Sequence, residues 1–349
     1  MTDTSAQRTM GTRVTPVYLH LVLMKTGTTY LQRSLRQAGD ALTEQGLTLI
    51  PGHQPMAHRL SLALRGLPYD GNLDHNGHRA LDRLAGSVAA SAGRCLLTEE
   101  TLSFLDEHQA ETLVGALGDA EVHVVVTVRD IARALPSAWQ QRVKNGHTVG
   151  LADYLEDVRA HTGLAGRSFW LSQSVADVLA RWSALVPPER VHVVVVPPSG
   201  EGSLLERFCS VIGIDPASLP DPGHSNPSLG YAQTELLRRI NQLLPDEMGK
   251  RAVAHGAVIK RYFARDVLAV QDGLPIRMPD SWAPWCEEQA HSSIAALESA
   301  GYHVIGDLSE LVPRPASYVE VAPSADEAAL LTSATQALVA LLVERAGVS

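Results

Sequence analysis

Residues 17–35, VYLHLVLMKTGTTYLQRSL, change periodicity partway along, and that change decides the fold. Val17, Leu19, Val22 and Leu23 belong to an apolar, β-branched run that reads as a strand buried on both faces. From Tyr30 the pattern turns helical, through Leu31, Ser34 and Leu35. Between strand and helix lies Lys25-Thr26-Gly27-Thr28-Thr29. Gly27 lets the backbone pass close to a ligand, and the unpaired N–H groups of Gly27, Thr28 and Thr29 open a helix whose dipole favours negative charge. Lys25 adds a full positive charge at the mouth, and the hydroxyls of Thr26, Thr28 and Thr29 can donate to further oxygens. The loop is therefore expected to hold a phosphate-like anion. Its lysine precedes the glycine, which argues against the G-x-x-x-x-G-K-[ST] order of ordinary nucleotide triphosphatases.

A second junction of the same kind spans residues 122–139, VHVVVTVRDIARALPSAW. Val122 to Val128 reads as a buried strand, Arg129 stands at its carboxyl end, and Asp130 is placed to cap a helix that carries Ser137 about two turns, roughly 10 Å, further on. Pro136 cannot donate to the carbonyl of Ala132, so a kink or a freed carbonyl is expected just before Ser137. One phosphate could bridge strand end and helix.

Strands near 17–23, 47–50, 94–98, 122–128, 191–196 and 303–305, separated by helical stretches long enough for crossovers, give an α/β class with a mainly parallel central sheet and helices on both faces. Ligands of such a sheet lie beyond the strand carboxyl ends, where Lys25 and Arg129 both fall. Residues 231–300 read as a mostly helical lobe beside the sheet. Residues 1–15 are polar and expected to be disordered, 16–315 form one domain, and 316–349 form a linker and terminal helix. That helix puts Leu331, Ala334, Leu338, Leu341 and Leu342 on one face, expected to pack on its own domain, with a homodimer contact as the alternative use.

Composition narrows the function. With 349 residues and 45% hydrophobic content the chain can bury a large core, and 29 basic against 38 acidic residues give a net charge of −9 that argues against a nucleic-acid partner. Cys95, Cys209 and Cys286 are too widely spaced for a zinc site or a disulfide framework. No metal site is expected, His53 and His58 lacking an acidic ligand pattern. No leader-like segment and no run of roughly 18 consecutive apolar residues is visible, so the expectation is a cytoplasmic protein without a membrane partner.

Lys-Thr-Gly-Thr-Thr-Tyr-Leu-Gln at 25–32 and the R-D-x-x-x-x-x-x-S-x-W arrangement at 129–139 resemble sulfotransferases that use 3′-phosphoadenosine 5′-phosphosulfate (PAPS), especially their bacterial, carbohydrate-type branch. WQQRVKNG at 139–146, RVHVVVVPPSG at 190–200, NPSLG at 226–230 followed by ELLRRIN, and GYHVIGDLSELVP at 301–313 are similar to segments of the same family, so the resemblance covers most of residues 16–315. It implies a P-loop-like fold in which Lys25, Thr26, Gly27, Thr28 and Thr29 hold the 5′-phosphosulfate and Arg129 and Ser137 clamp the 3′-phosphate. It further implies that Lys25 steadies the departing adenosine 3′,5′-bisphosphate (PAP) and that Asn226 and Ser228 line the cofactor pocket. The acceptor would be a hydroxyl of a carbohydrate or small molecule, and no metal is required. For the base, the segment RCLLTEETLSFL at 94–105 offers Glu100, which matches the glutamate of the family's Ser-x-Glu-x-Leu element; the alternative is that Glu100 caps the following helix. His20 and His58 are further candidates on the substrate side, although His20, within the first strand, reads first as a satisfied core group and His58 reads as readily as a solvated one. Leu23 and Met24 depart from the usual residues before the loop, and the R-K-G-x-x-G adenine motif is absent. Two other readings are a non-catalytic PAPS- or PAP-binding protein and a divergent kinase, the latter lacking a visible Walker lysine and metal-holding aspartate.

Overall fold

The structure, a computed structural model, describes residues 14–23, 26–51, 54–67, 77–198, 200–221, 228–249, 254–321, 324 and 326–347. Its elements run β1 Pro16–Val22, α1 Thr28–Gln37, α2 Gly39–Glu44, β2 Leu47–Leu49, α3 Gln54–Leu64, α4 Gly77–Ala90, β3 Arg94–Glu99, α5 Glu107–Gly115, β4 Glu121–Val128, α6 Ile131–Lys144 and α7 Leu151–Arg159. They continue with α8 Gly163–Gln173, α9 Val175–Ser183, β5 Val191–Val195, α10 Leu204–Ile212, α11 Tyr231–Leu243, a π-helix at His255–Leu268, β6 Met278–Pro279, α12 Ala283–Ser299, β7 His303–Ile305, β8 Tyr318–Val319 and α13 Glu327–Ala346. Most of the N-terminal stretch expected to be disordered lies outside the described residues.

The long apolar strands could only settle where both faces are covered. Val124, Val125 and Val126 are three consecutive residues with no exposure, so they fill both sides of one strand. Each such valine contributes about 1.5–3 kcal/mol on burial. The central sheet is α/β in class: six strands, all parallel, in the order β2-β3-β1-β4-β5-β7. On one face Leu19, Leu21, Leu97, Val124, Val126 and Val193 build a core with Trp182 of α9; on the other Leu96, Val125 and Val194 pack with Leu31 and Leu35 of α1 and Phe208 of α10.

Strand β1 holds the middle. Leu21 is in register with Glu99 of β3, and Val22 with Thr127 of β4. The chain completes β3 on one side of β1 and enters β4 on the other. The crevice at the carboxyl ends of β1 and β4 is therefore a topological switch point, where open α/β sheets bind ligands.

A third core belongs to the helical lobe. It joins Leu135, Trp139, Tyr154 and Leu155 of α6 and α7 to Leu237 of α11, Ile259 and Leu268 of the π-helix, and Cys286 of α12. The lobe thus draws on α6 to α8 as well as on the helices after residue 230, because the large rings of Trp139 and Tyr154 need a second helical layer to cover them.

Helix α13 packs by a different stripe from the one its sequence suggests. Leu330, Ser333 and Ala337 are buried, and Ser333 donates to Gln271 Oε1 at 2.6 Å while Gln271 Nε2 donates back to the Ser333 carbonyl at 3.2 Å. Small side chains let the helix approach closely there. Of the face expected against the core, Leu341 packs on the lobe core and Ala334 is half-buried, whereas Leu331, Leu338 and Leu342 are 69%, 60% and 67% exposed. The helix is also long and apolar enough to cross a membrane by length and composition alone, a property hidden from a count of consecutive apolar residues because Thr332, Ser333, Thr335 and Gln336 interrupt the run.

Candidate functional site

The loop after β1 turns sharply at Gly27, whose φ of 79° lies in the left-handed region that side chains disfavour. Gly27 precedes α1 and its carbonyl accepts from the Tyr30 N–H at 3.1 Å. A Cβ added there would come within 3.0 Å of Leu204 Cδ2. Thr28 is buried and Thr29 exposed. Lys25 and Met24 lie outside the described residues, as do His53 and Asn226.

Thr26 does not offer its proton to a ligand, contrary to expectation. The buried hydroxyl donates to the Leu23 carbonyl at 2.8 Å and also meets Thr127 Oγ1 at 2.8 Å. With the Thr26 proton committed, Thr127 must be the donor between the two hydroxyls. The next links follow in order: His20 Nε2–H points at Thr127 Oγ1 at 3.4 Å, His20 Nδ1 accepts from Thr98 Oγ1 at 2.9 Å, and Gln32 Nε2 donates to Thr98 at 3.2 Å. Arg36 donates to Gln32 Oε1 at 3.1 Å. A single-direction chain of donors therefore runs from α1 beneath the sheet edge to the loop, and bonds so aligned strengthen one another. His20 has no exposure and both nitrogens engaged, which removes it from the substrate side. Burial lowers its pKa to about 3, so it is neutral.

At the neighbouring strand tip, Asp130 caps α6 by accepting from the Arg133 N–H at 2.9 Å, and its other oxygen pairs with the Arg133 guanidinium. Arg129 precedes it. Burial first, and then the positive charge of Arg133, pull the Arg129 guanidinium down to about 10, Asp130 acting in the opposite sense. A desolvated cation of this kind gains most from an arriving anion.

Arg129 and Ser137 line one cleft of about 450 Å³, within the usual range of small-molecule sites. Its described lining carries four guanidiniums, Arg129, Arg133, Arg277 and Arg314, against the carboxylates Asp130 and Glu310. Ser228, Leu229 and Ile276 complete the wall opposite α6, and Gln140 Nε2 anchors it by donating to the Leu229 carbonyl. Pro136 sits inside α6, and both it and Ala132 face this cleft, so the carbonyl that proline leaves without a helical donor belongs to its wall. A smaller cavity of about 60 Å³, lined by Thr26, Phe169, Trp170 and Gln289, also touches Arg129 and Asp130. Loop end and cleft therefore adjoin through Arg129.

The two glutamates after β3 divide their work unexpectedly. Glu99 is the buried one: its Oε1 accepts from the Thr101 N–H at 3.2 Å, capping the 3₁₀ turn Glu100–Phe104, from the Thr101 hydroxyl at 3.0 Å, and from His58 Nδ1 at 3.1 Å. Glu100 is half-buried, opens the turn instead of capping it, and interacts electrostatically with Lys260 of the π-helix. The Glu99 carboxylate thus fixes the orientation of the His58 ring through Nδ1.

Arg277, Arg314, Arg133 and Glu99 carry no sequence signal of their own, and nothing in the sequence pairs the candidate His58 with Glu99. Only the fold brings them to the edge marked by the two junctions. Among the described residues no group of three or more His, Cys, Asp or Glu is arranged to hold a metal. Comparison with protein-family models, with curated proteins and with solved structures yields no match for this chain.

Proposed function

We propose that the protein is a sulfotransferase that moves a sulfuryl group from PAPS to a hydroxyl of a carbohydrate or other small-molecule acceptor. One observation supports the reading: Arg129 borders both the cavity that Thr26 lines and the cationic cleft that Ser137 lines, which is where a single nucleotide with phosphate groups at both ends of its ribose would need a shared cation. The chain's anion-holding groups are suited to such a ligand. The N–H groups that open α1 take its 5′ end, and Arg129, Ser137 and Arg277 take the 3′-phosphate, with Lys25 assigned from its sequence position to the charge that develops on the departing phosphate. When bound, PAPS supplies the activated sulfuryl group. The acceptor proton is assigned to His58, whose ring the buried Glu99 carboxylate orients through Nδ1, with Glu100, which lies in the field of Lys260, as the alternative base.

Calorimetry with PAP, adenosine 5′-phosphate and ATP tests the assignment. PAP is expected to bind most tightly, and Arg129→Ala to lose roughly 30-fold or more of that affinity, the cost of removing a buried charged partner. Equal binding of PAP and adenosine 5′-phosphate would overturn the reading. For the base, His58→Ala should abolish transfer from labelled PAPS while PAP binding persists, and Glu100→Gln should keep turnover; the reverse outcome returns the role to Glu100.

A further inference from the structure

The solvent face of α13 repeats with coiled-coil spacing. Ala328, Leu331, Thr335, Leu338, Leu342 and Arg345 follow one another at intervals of three, four, three, four and three, the pattern that keeps a seam facing a partner helix. This seam is not the stripe that holds α13 to its own chain, which runs through Leu330, Ser333 and Ala337. Leu331, Leu338 and Leu342 stand largely in solvent, flanked by Val339 and Val343, which are 54% and 43% exposed. Five large apolar side chains on one exposed helix form a patch that needs an occupant.

We infer that the occupant is a second copy of this chain, with two α13 helices paired antiparallel about a two-fold axis near residues 336 and 337. Three features of the helix favour this partner. The seam is self-complementary when reversed: Leu331 of one copy falls opposite Leu342 of the other, Thr335 opposite Leu338, and Ala328 opposite Arg345, in six layers that map onto themselves as an isologous contact requires. Charge follows the same register. Asp326 and Glu327 lie at the start of the helix and Arg345 in its last turn, so reversal sets Arg345 of each copy beside the acidic start of the other, over an Ala328 too small to obstruct it. Complete cover of the five exposed apolar side chains would remove at most roughly 550 Å² per copy, roughly 1,100 Å² for the pair, the size of a contact at the low end of the specific range.

The test uses the full chain. Analytical ultracentrifugation at micromolar concentration is expected to show a dimer, and Leu338→Glu with Leu342→Glu to raise the dissociation constant at least about 100-fold while the monomer keeps its melting temperature, since both positions face solvent in the single chain. Arg345→Glu should weaken the dimer, and adding Glu327→Arg should restore it. Orientation is read by oxidation of a Leu331→Cys, Leu342→Cys variant. The two positions are roughly 16 Å apart along one helix, too far to close within a chain, so rapid cross-linking between copies by the double variant but by neither single-cysteine variant marks the antiparallel register, whereas rapid cross-linking of either single variant marks a parallel pair and overturns it. A monomeric wild-type chain overturns the inference, as does a dimer insensitive to Leu338→Glu. So does a chain that instead pellets with phospholipid vesicles through these same leucines, which would give the face to a lipid surface.

Discussion

His20, neutral and sealed under the loop, links stability to acidity. Its pKa in the folded chain lies below that of an ordinary histidine, so the unfolded chain binds a proton that the native chain does not. Its contribution is complete above about pH 6.5 and declines as pH falls towards 3, by roughly 1.4 kcal/mol per pH unit. His192 behaves in the same sense. Burial, then the charges of His123 and His303, bring it to about 4, within a row in which His123 Nδ1 meets His192 Nε2 and His192 Nδ1 meets His303 Nδ1, each at 2.9 Å. The melting temperature should therefore drop between pH 6.5 and 4, and His20→Gln should flatten that drop; an unchanged slope in a pH series of thermal melts would remove His20 as its source. Gly27→Ala should cost about 1–2 kcal/mol from its left-handed backbone alone, with further loss where the new methyl meets Leu204, measurable as a fall in denaturation midpoint. Gly27 could be read from sequence because a strand, a glycine and a helix in succession leave little choice. The Glu99–His58 pair could not, since which of two adjacent glutamates turns inward depends on where β3 ends and on a helix forty residues earlier.

At the scale of elements, capping and periodicity were legible to different degrees. Asp130 caps α6 as its sequence suggests, because an aspartate between a buried strand and a helix satisfies N–H groups that nothing else reaches. Asp130→Ala should lower stability by about 1–2 kcal/mol, since the first turn of α6 loses its cap; chemical denaturation reads the fall. Helix α13 was legible as a helix and misleading as to its face. It is apolar on nearly every side, so the spacing of leucines could not say which stripe the body of the protein would cover. Ser333 and Ala337 settle that by being small.

For the whole molecule, all six strands of the main sheet were legible: β1, β4 and β5, covered on both faces, are written as near-continuous runs of valine and leucine, and the short edge strands β2 and β7 as brief apolar pieces between turns and helices. The lobe was legible only in its later half, for α6 to α8 follow a strand tip and read as ordinary crossover helices until Trp139 and Tyr154 are seen to share a core with α11, the π-helix and α12. A nucleotide bridging loop and cleft should protect 26–30, 129–137, 273–277 and 310–317 together in hydrogen exchange, and PAP at a hundred times its dissociation constant should stabilise the fold by about 2.7 kcal/mol. Strand β4 is set in the sheet core and α6 in the lobe core, with only Arg129 and Asp130 between them. Those two residues are thus the shortest link along the chain between the sheet core and the lobe core, which α12 also joins through Leu297 on the sheet side and Cys286 in the lobe. The guanidinium proposed to grip a ligand thus stands at the joint between sheet and lobe, so a tilt of the lobe would carry it along.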